Sequence, residues 1–209
     1  VNISLDTLDE AKFRDMTRGG DIRKVLAGIE RSLEVGLHPV KLNVVVVRDF
    51  NSEELPRFMD LARDYPLHVR FIELMPIGAS ADKRSDFVPI AEMKKILGLE
   101  GAKTARNIRG GGPAEYIASD GFQGSVGFIS AISKHFCHNC NRVRLTPDGK
   151  LRLCLHSSQE VDLREILRTN DSDEVVRDIL AQAIWRKPAE HHMEAETWQD
   201  KRIMSQIGG

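Results

Sequence analysis

The chain has 209 residues, which is enough for one or two domains. Hydrophobic residues make up 41% and charged residues 29%, an ordinary globular composition that excludes disordered, collagen-like and low-complexity proteins. The formal net charge of −1 argues against a nucleic-acid partner. The longest aliphatic run, Val44 to Val47, is too short for a membrane span and no signal peptide opens the chain, so we expect a cytoplasmic protein without a membrane partner.

The first eighty residues alternate between strand and helix patterns. Strands are predicted at Val1–Leu5, Val40–Val47 and His68–Leu74, with a helix at Asp21–Val35 between the first two. A second helix is expected after Asn51, because Asn51 and Glu54 fit a capping box. Strands that alternate with helices in this way predict an α/β fold with a parallel sheet or barrel.

The pattern changes after Gly78, where short strands and glycine-rich turns replace the earlier alternation. The predicted elements are a helix at Pro89–Leu97, strands at Ala114–Ala118, Ser125–Ile132, Arg142–Thr146 and Lys150–Leu155, and helices at Leu163–Arg168 and Glu174–Trp185. We therefore predict two domains, 1–80 and 81–209, the second of them α+β. Residues 101–158 carry a net charge of +5, which suits a small anion such as a nucleotide phosphate or is simply a solvated basic surface.

The chain has three cysteines, and all of them lie within eighteen residues, at Cys137, Cys140 and Cys154. An odd number of cysteines without a secretion signal disfavours a disulfide framework and favours a metal site. The turn sequence from Thr146 to Lys150 predicts a β-hairpin. This hairpin would return Cys154 to Cys140, and its register would place Arg144 opposite Arg152.

Two kinds of metal site fit the cysteine spacing. A structural zinc site would take a fourth ligand from His135, His138 or His156. An iron–sulfur cluster would use the three thiolates and leave one iron open. The predicted pairing of two arginines across the hairpin needs a nearby anion or screening by water, and arginines beside an open metal position favour a phosphate-bearing ligand.

The string from Phe136 to Leu145, continued by the Thr146–Gly149 turn and Cys154-Leu155, resembles the molybdenum cofactor biosynthesis protein A family. That family comprises the GTP 3′,8-cyclases among the radical S-adenosylmethionine enzymes. The resemblance extends to Val1–Asp6, Val40–Val47, Val69–Gly78, Gly124–Ser133 and Gly208-Gly209. It implies the C-terminal part of an incomplete (β/α) radical-SAM barrel at 1–80, followed by an α+β domain at 81–209 that holds a second iron–sulfur cluster.

The resemblance also implies roles for individual residues. It makes Cys137, Cys140 and Cys154 the ligands of a substrate-binding [4Fe–4S] cluster. The implied GTP contacts are Lys41, Arg70, Arg142, Val143 and Arg144, and the implied S-adenosylmethionine contacts are Ser4 and Met75. The family's CxxxCxxC motif, which holds the other [4Fe–4S] cluster, is absent, so we expect a chain truncated at its N-terminus that has no catalytic residue of its own and is inactive alone.

The implied function is that of a lyase in molybdenum cofactor biosynthesis. The family converts GTP, by 5′-deoxyadenosyl-radical chemistry, to (8S)-3′,8-cyclo-7,8-dihydroguanosine 5′-triphosphate. Its implied partners are GTP, S-adenosylmethionine, the next enzyme of the pathway (cyclic pyranopterin monophosphate synthase) and, as a candidate, a second copy of the chain. The alternatives are a radical-SAM peptide maturase, which usually has more cysteines, and a non-enzymatic zinc-binding module.

Overall fold

The computed structural model describes residues 1–77, 84–104, 108–109, 112–117, 120–134, 136–170, 172–191 and 202–207. Two compact units make up the chain. The first comprises Val1–Leu74 and Ser85–Lys134, and the second comprises Met75–Arg84 and His135–Gly209. The units therefore divide the chain differently from the predicted boundary near residue 80, and the assignment of a barrel part to 1–80 and a cluster domain to 81–209 stays a prediction.

The first unit is built on a five-stranded sheet in the order β1-β2-β3-β5-β4. The strands are β1 (Asn2–Ser4), β2 (Val40–Val46), β3 (Leu67–Glu73), β4 (Glu115–Ile117) and β5 (Ser125–Ile129). Strands β1, β2, β3 and β5 run parallel, and β4 pairs antiparallel with β5. Four parallel strands connected through helices confirm the predicted α/β class.

In the described part of the first unit, four helices accompany this sheet, namely α1 (Glu10–Met16), α2 (Ile22–Glu34), α3 (Leu55–Asp64) and α4 (Ile90–Ile96). The helix predicted at 21–35 is confirmed as α2: Asp21 caps its first turn and Gly36 follows its end with a φ of +74°. Helix α1 was not predicted, because seven residues are too few for the apolar spacing of a helix to show.

The apolar core of the first unit lies on one face of the sheet. Alternate residues of the strands point to this face, and Leu42, Val44, Val69 and Phe71 are completely buried there. Phe58 of α3 meets Phe71 edge to face, with ring centroids 6.4 Å apart. The strand residues between these alternate positions point to the opposite face, which carries polar side chains.

The predicted capping box at Asn51 and Glu54 is wrong. Neither side chain caps a helix, and a 3₁₀ turn at Ser52–Glu54 precedes α3. The amide of Asn51 instead donates to the backbone oxygens of Asp6 and Val45, and its oxygen accepts from the Val47 amide. Both residues are buried, and their side chains form hydrogen bonds with distant parts of the chain instead of with the first turn of a helix.

The second unit contains a three-stranded antiparallel sheet of β6 (Arg144–Leu145), β7 (Lys150–Arg152) and β8 (Glu160–Asp162). Two helices follow it, α5 (Leu163–Thr169) and α6 (Asp173–Trp185). The predicted hairpin is confirmed, since the Thr146 amide donates to the Lys150 oxygen and Gly149 turns with a φ of +83°. Strand β8 was not predicted, because three residues show too little alternation.

The predicted α/β class is confirmed, whereas the radical-SAM barrel and the second cluster domain remain proposals. Within the described part of the chain, no helix combines the length and apolar character that a bilayer crossing requires. The Gly208-Gly209 pair and His135 lie outside the described residues.

The carboxylate of Glu73, at the end of β3, is completely buried and links three segments of the first unit. One oxygen accepts from the Ile90 amide at the start of α4, at 3.1 Å. The other accepts from the amides of Ile132 and Ser133, at 2.8 and 2.9 Å. The Ser133 hydroxyl also donates to this carboxylate. Glu73 thereby satisfies backbone donors that would otherwise lose their partner on folding.

Replacement of Glu73 by alanine is expected to destabilise the first unit by about 3 kcal/mol or more, because it leaves buried amide donors without an acceptor. Urea unfolding followed by circular dichroism measures the effect. Glu53→Ala, at an exposed position, is the matched control and should change the unfolding midpoint little. Equal midpoints for the two variants would show that Glu73 does not stabilise the fold.

Candidate functional site

Cationic side chains gather on the polar face of the first unit's sheet. Lys41 on β2 pairs in register with His68 on β3, and Arg70 lies two residues farther along the same strand face. We call Lys41, His68 and Arg70 the cationic face. Lys41 and Arg70 are buried, with exposed fractions of 4% and 7%. The structure therefore brings together the two GTP contacts that the resemblance placed on these strands.

Each residue of the cationic face has a defined hydrogen bond. Lys41 Nζ donates to the Arg109 backbone oxygen at 2.7 Å, and Arg70 Nη2 donates to Asn2 Oδ1 at 2.6 Å. His68 Nδ1 lies 2.9 Å from the Ser125 hydroxyl oxygen. These contacts orient the three side chains.

The electrostatics of the cationic face follow from burial and mutual repulsion. Burial lowers the pKa of Lys41, and the nearby charge of Arg70 lowers it further. Burial also lowers the pKa of His68, and the charges of Lys41, Arg70 and His38 add to this effect. An anion placed on this face would relieve the repulsion, so the face suits a phosphate or carboxylate group.

Two neighbours shape the cationic face. Tyr116 on β4 meets the His68 ring edge to face at 6.1 Å, and burial raises the pKa of its phenol against the opposing effect of Arg70. Gly127 lies in register between Arg70 and Tyr116. A Cβ atom there would stand 2.8 Å from the Tyr116 ring and 3.4 Å from Arg70 Cγ. Gly127 therefore leaves space for the side chains of Tyr116 and Arg70. The sequence analysis did not detect this role of Gly127.

The implied S-adenosylmethionine contacts, Ser4 and Met75, fall in different units. Ser4 ends β1 and pairs with Asn43, which pairs with Arg70, so it lies on the side of the sheet that carries the cationic face. Asn43 Oδ1 is buried and has no hydrogen-bond partner among the described residues. Met75 lies two residues beyond the end of β3 and belongs to the second unit. Both roles stay predictions.

Acidification is expected to destabilise the first unit through His68. Because the folded-state pKa of His68 is lowered, the unfolded chain binds a proton more readily, and stability falls as the pH drops below about 6.5, the ordinary value. His68→Asn should reduce this dependence, which urea midpoints at pH 7.5 and 5.5 would measure. His138→Asn, at an exposed position, is the control. An unchanged pH dependence in His68→Asn would contradict the lowered pKa.

The three cysteines lie in the second unit. Cys137 begins a 3₁₀ turn, and the Cys140 amide donates to the Cys137 oxygen at 3.0 Å, so one tight turn carries both thiols of the CxxC motif. Cys154 follows β7 after Leu153. All three are free thiols of intermediate exposure. Among the described residues, no three side chains of the metal-ligating types are grouped closely enough to hold a single metal ion.

The predicted register of the hairpin arginines is confirmed, since Arg144 pairs directly with Arg152. Arg152 is completely buried and also pairs in register with Glu160 on β8, and the two side chains form an ion pair at 3.8 Å. Glu160 also pairs with Arg202. The chain itself therefore supplies the anion beside Arg152, which the sequence analysis, lacking β8, did not anticipate.

Arg144 lies close enough to Cys140 for the two groups to interact electrostatically. Burial lowers the pKa of its guanidinium, and the charges of Arg142 and Arg152 lower it further, while Cys140 opposes them. Arg142 and Val143 are exposed and Arg144 is half-buried. The segment that contains the predicted GTP contacts of this unit therefore combines accessible atoms with concentrated positive charge.

One residue near the cysteines was not predicted. Lys187, two residues beyond the end of α6, donates to the backbone oxygens of Cys140 and Arg142, each at 2.8 Å, and to Cys140 Sγ at 3.4 Å. Nothing in the sequence marks this lysine, because it follows a helix among other charged residues. Only the tertiary structure places it beside the CxxC turn.

These features define a class: an α/β protein whose second unit presents a three-cysteine segment beside arginines. A family model described as Molybdenum Cofactor Synthesis C matches residues 67–193, and the chain belongs to that family. It is 53% identical to a GTP 3′,8-cyclase of Heliobacterium modesticaldum and 49% identical to one of Moorella thermoacetica. Both matches cover 100% of this chain and 65% of the relative, so the chain spans somewhat less than two thirds of each relative's length.

Proposed function

We propose that this chain forms the substrate-binding part of a GTP 3′,8-cyclase in molybdenum cofactor biosynthesis. The proposal is supported by family membership and by the names of relatives that are similar over the whole chain. The observation that carries it is local: the three free thiols and the Arg142–Arg144 segment lie in one unit, and Cys140 acts electrostatically on Arg144. Thiolates beside phosphate-binding cations suit a metal-bound nucleotide.

The donor set fits an iron–sulfur cluster. Three cysteines would bind three different irons of a cubane, so their sulfurs need not converge on one ion as they do around zinc. Lys187 Nζ lies 3.4 Å from Cys140 Sγ, where its positive charge would offset part of the negative charge of a bound cluster. When bound on Cys137, Cys140 and Cys154, a [4Fe–4S] cluster would supply an open iron position for a ligand atom of the substrate.

The residues of the chain would bind and orient the nucleotide by charge. Arg142 and Arg144 would donate charge-assisted hydrogen bonds to the triphosphate, with Val143 exposed between them. Lys41 and Arg70 of the cationic face are further proposed GTP contacts, supported by their burial and by their place side by side on the same face of the sheet. Burial and then repulsion by Arg70 lower the pKa of Lys41, and a bound anion would offset both effects.

The remaining parts of the proposal concern the complete enzyme. Ser4 and Met75 are proposed contacts of S-adenosylmethionine, and the parallel sheet is proposed to be part of a radical-SAM barrel, supported by its strand order. A second [4Fe–4S] cluster on a CxxxCxxC motif would cleave S-adenosylmethionine. Cyclic pyranopterin monophosphate synthase as the next enzyme, a homodimer and a cytoplasmic location complete the proposal.

Arg142→Ala and Arg144→Ala are each expected to weaken GTP binding about tenfold or more while leaving guanosine binding nearly unchanged, because a charge-assisted hydrogen bond is worth roughly 1.5–3 kcal/mol. Calorimetry on the anaerobically reconstituted chain measures both affinities. Arg177→Ala on α6, an exposed arginine, is the matched control. Equal losses for GTP and guanosine would show that the arginines do not bind the triphosphate.

Cys154→Ser is expected to lose iron and sulfide as fully as Cys137→Ser does, because the two thiolates of the CxxC turn cannot hold a cubane alone. Iron and sulfide contents after reconstitution and desalting measure the loss. Ser158→Ala, at an exposed position near Cys154, is the control. Full iron and sulfide content in Cys154→Ser would contradict the three-ligand assignment.

The reconstituted 209-residue chain is expected to change its cluster spectrum on addition of GTP without forming 5′-deoxyadenosine from S-adenosylmethionine. The only three cysteines of the sequence are assigned to the substrate cluster, so none is left for the cluster that cleaves S-adenosylmethionine. Absorption spectra and chromatography measure the two results. Formation of 5′-deoxyadenosine above the level of a cluster-free sample would contradict the assignment of these cysteines.

A further inference from the structure

Lys187 satisfies all of its hydrogen-bonding capacity within the cysteine segment. An ammonium group has three N–H donors, and Lys187 has three acceptors: the Cys140 oxygen, the Arg142 oxygen and Cys140 Sγ. The two backbone oxygens lie on either side of Asn141. A single side chain therefore fixes the backbone between the CxxC turn and the arginine segment, and also touches a thiol.

The end of helix α6 holds Lys187 beside the cysteine segment. Helix α6 ends at Trp185, and the Lys187 amide donates to the Ile184 oxygen at 3.0 Å, which closes the helix and orients the residue. The residues it holds have little regular structure of their own, because β6 begins only at Arg144. Residues 140–142 lie outside the strands, so their backbone oxygens need other hydrogen-bond donors. Lys187, at the end of α6, donates to two of these oxygens.

Hydrogen bonds to cluster sulfurs and nearby positive charge raise the reduction potential of an iron–sulfur cluster. We propose that Lys187 is a positioning residue of the substrate cluster: it holds Cys140 and the Arg142 backbone in place, and it stabilises the cluster's reduced state through its bond to Cys140 Sγ. This inference deepens the proposed function and rests on it. It assigns a role in the cluster site to a residue outside the cysteine and arginine motif.

The test compares three variants of the reconstituted 209-residue chain. Lys187→Met keeps the length of the side chain and removes the donors, Lys187→Arg keeps the charge and donors, and Arg186→Met makes the same change of charge at the neighbouring exposed residue. We expect Lys187→Met to release iron to a chelator roughly threefold to tenfold faster than the unchanged chain. Lys187→Arg should restore most of this loss, and Arg186→Met should behave as the unchanged chain does.

A second readout separates the bond to sulfur from a merely structural role. The midpoint potential of the assembled cluster, measured by an EPR-monitored redox titration, should fall in Lys187→Met and not in Arg186→Met. Hydrogen exchange of the metal-free chain should show faster exchange at residues 137–144 in Lys187→Met, with exchange in α6 unchanged.

The outcomes distinguish this inference from the proposed function. If the unchanged chain assembles a [4Fe–4S] cluster and Lys187→Met matches it in potential and iron release, the inference is overturned and the proposed function stands. If the unchanged chain assembles no cluster, the proposed function fails. In that case, equal hydrogen exchange at residues 137–144 in the unchanged and Lys187→Met chains would overturn the positioning role as well.

Discussion

The second unit depends on the burial of a positive charge. Arg152 is completely buried, and a buried guanidinium is tolerated only where a carboxylate and hydrogen-bond acceptors surround it. Glu160 supplies the carboxylate from the neighbouring strand, and the Ser157 oxygen accepts from Arg152 Nε at 2.7 Å. These contacts fix β7 against β8 and the turn between them. Because β7 also fixes the hairpin register, they determine where Arg144 stands and where Cys154 leaves the sheet.

The first unit instead contains a completely buried carboxylate, that of Glu73. Glu73 binds backbone amides at the end of β3 and so connects the strand to α4 and to the segment after β5. Its carboxylate accepts hydrogen bonds on the apolar face of the sheet, while Lys41, His68 and Arg70 lie on the other face.

The sequence predicted what is local. The β-branched run at Val40–Val47 indicated β2, and the Asp-Gly turn indicated the hairpin register, because each depends on neighbouring residues. It failed where distant residues compete for the same groups. Asn51 and Glu54 resemble a helix cap but are recruited by tertiary contacts. Glu160 and Lys187 gave no signal, because their partners lie on other elements.

The proposed function requires that Cys137, Cys140 and Cys154 hold an iron–sulfur cluster that binds a nucleotide. The most direct test is metal and sulfide analysis of the 209-residue chain purified without oxygen, followed by absorption spectra with and without GTP. We expect four irons and four sulfides per chain, little zinc and a spectrum that GTP changes. One zinc per chain with no labile sulfide would contradict this expectation and would favour a structural zinc site instead.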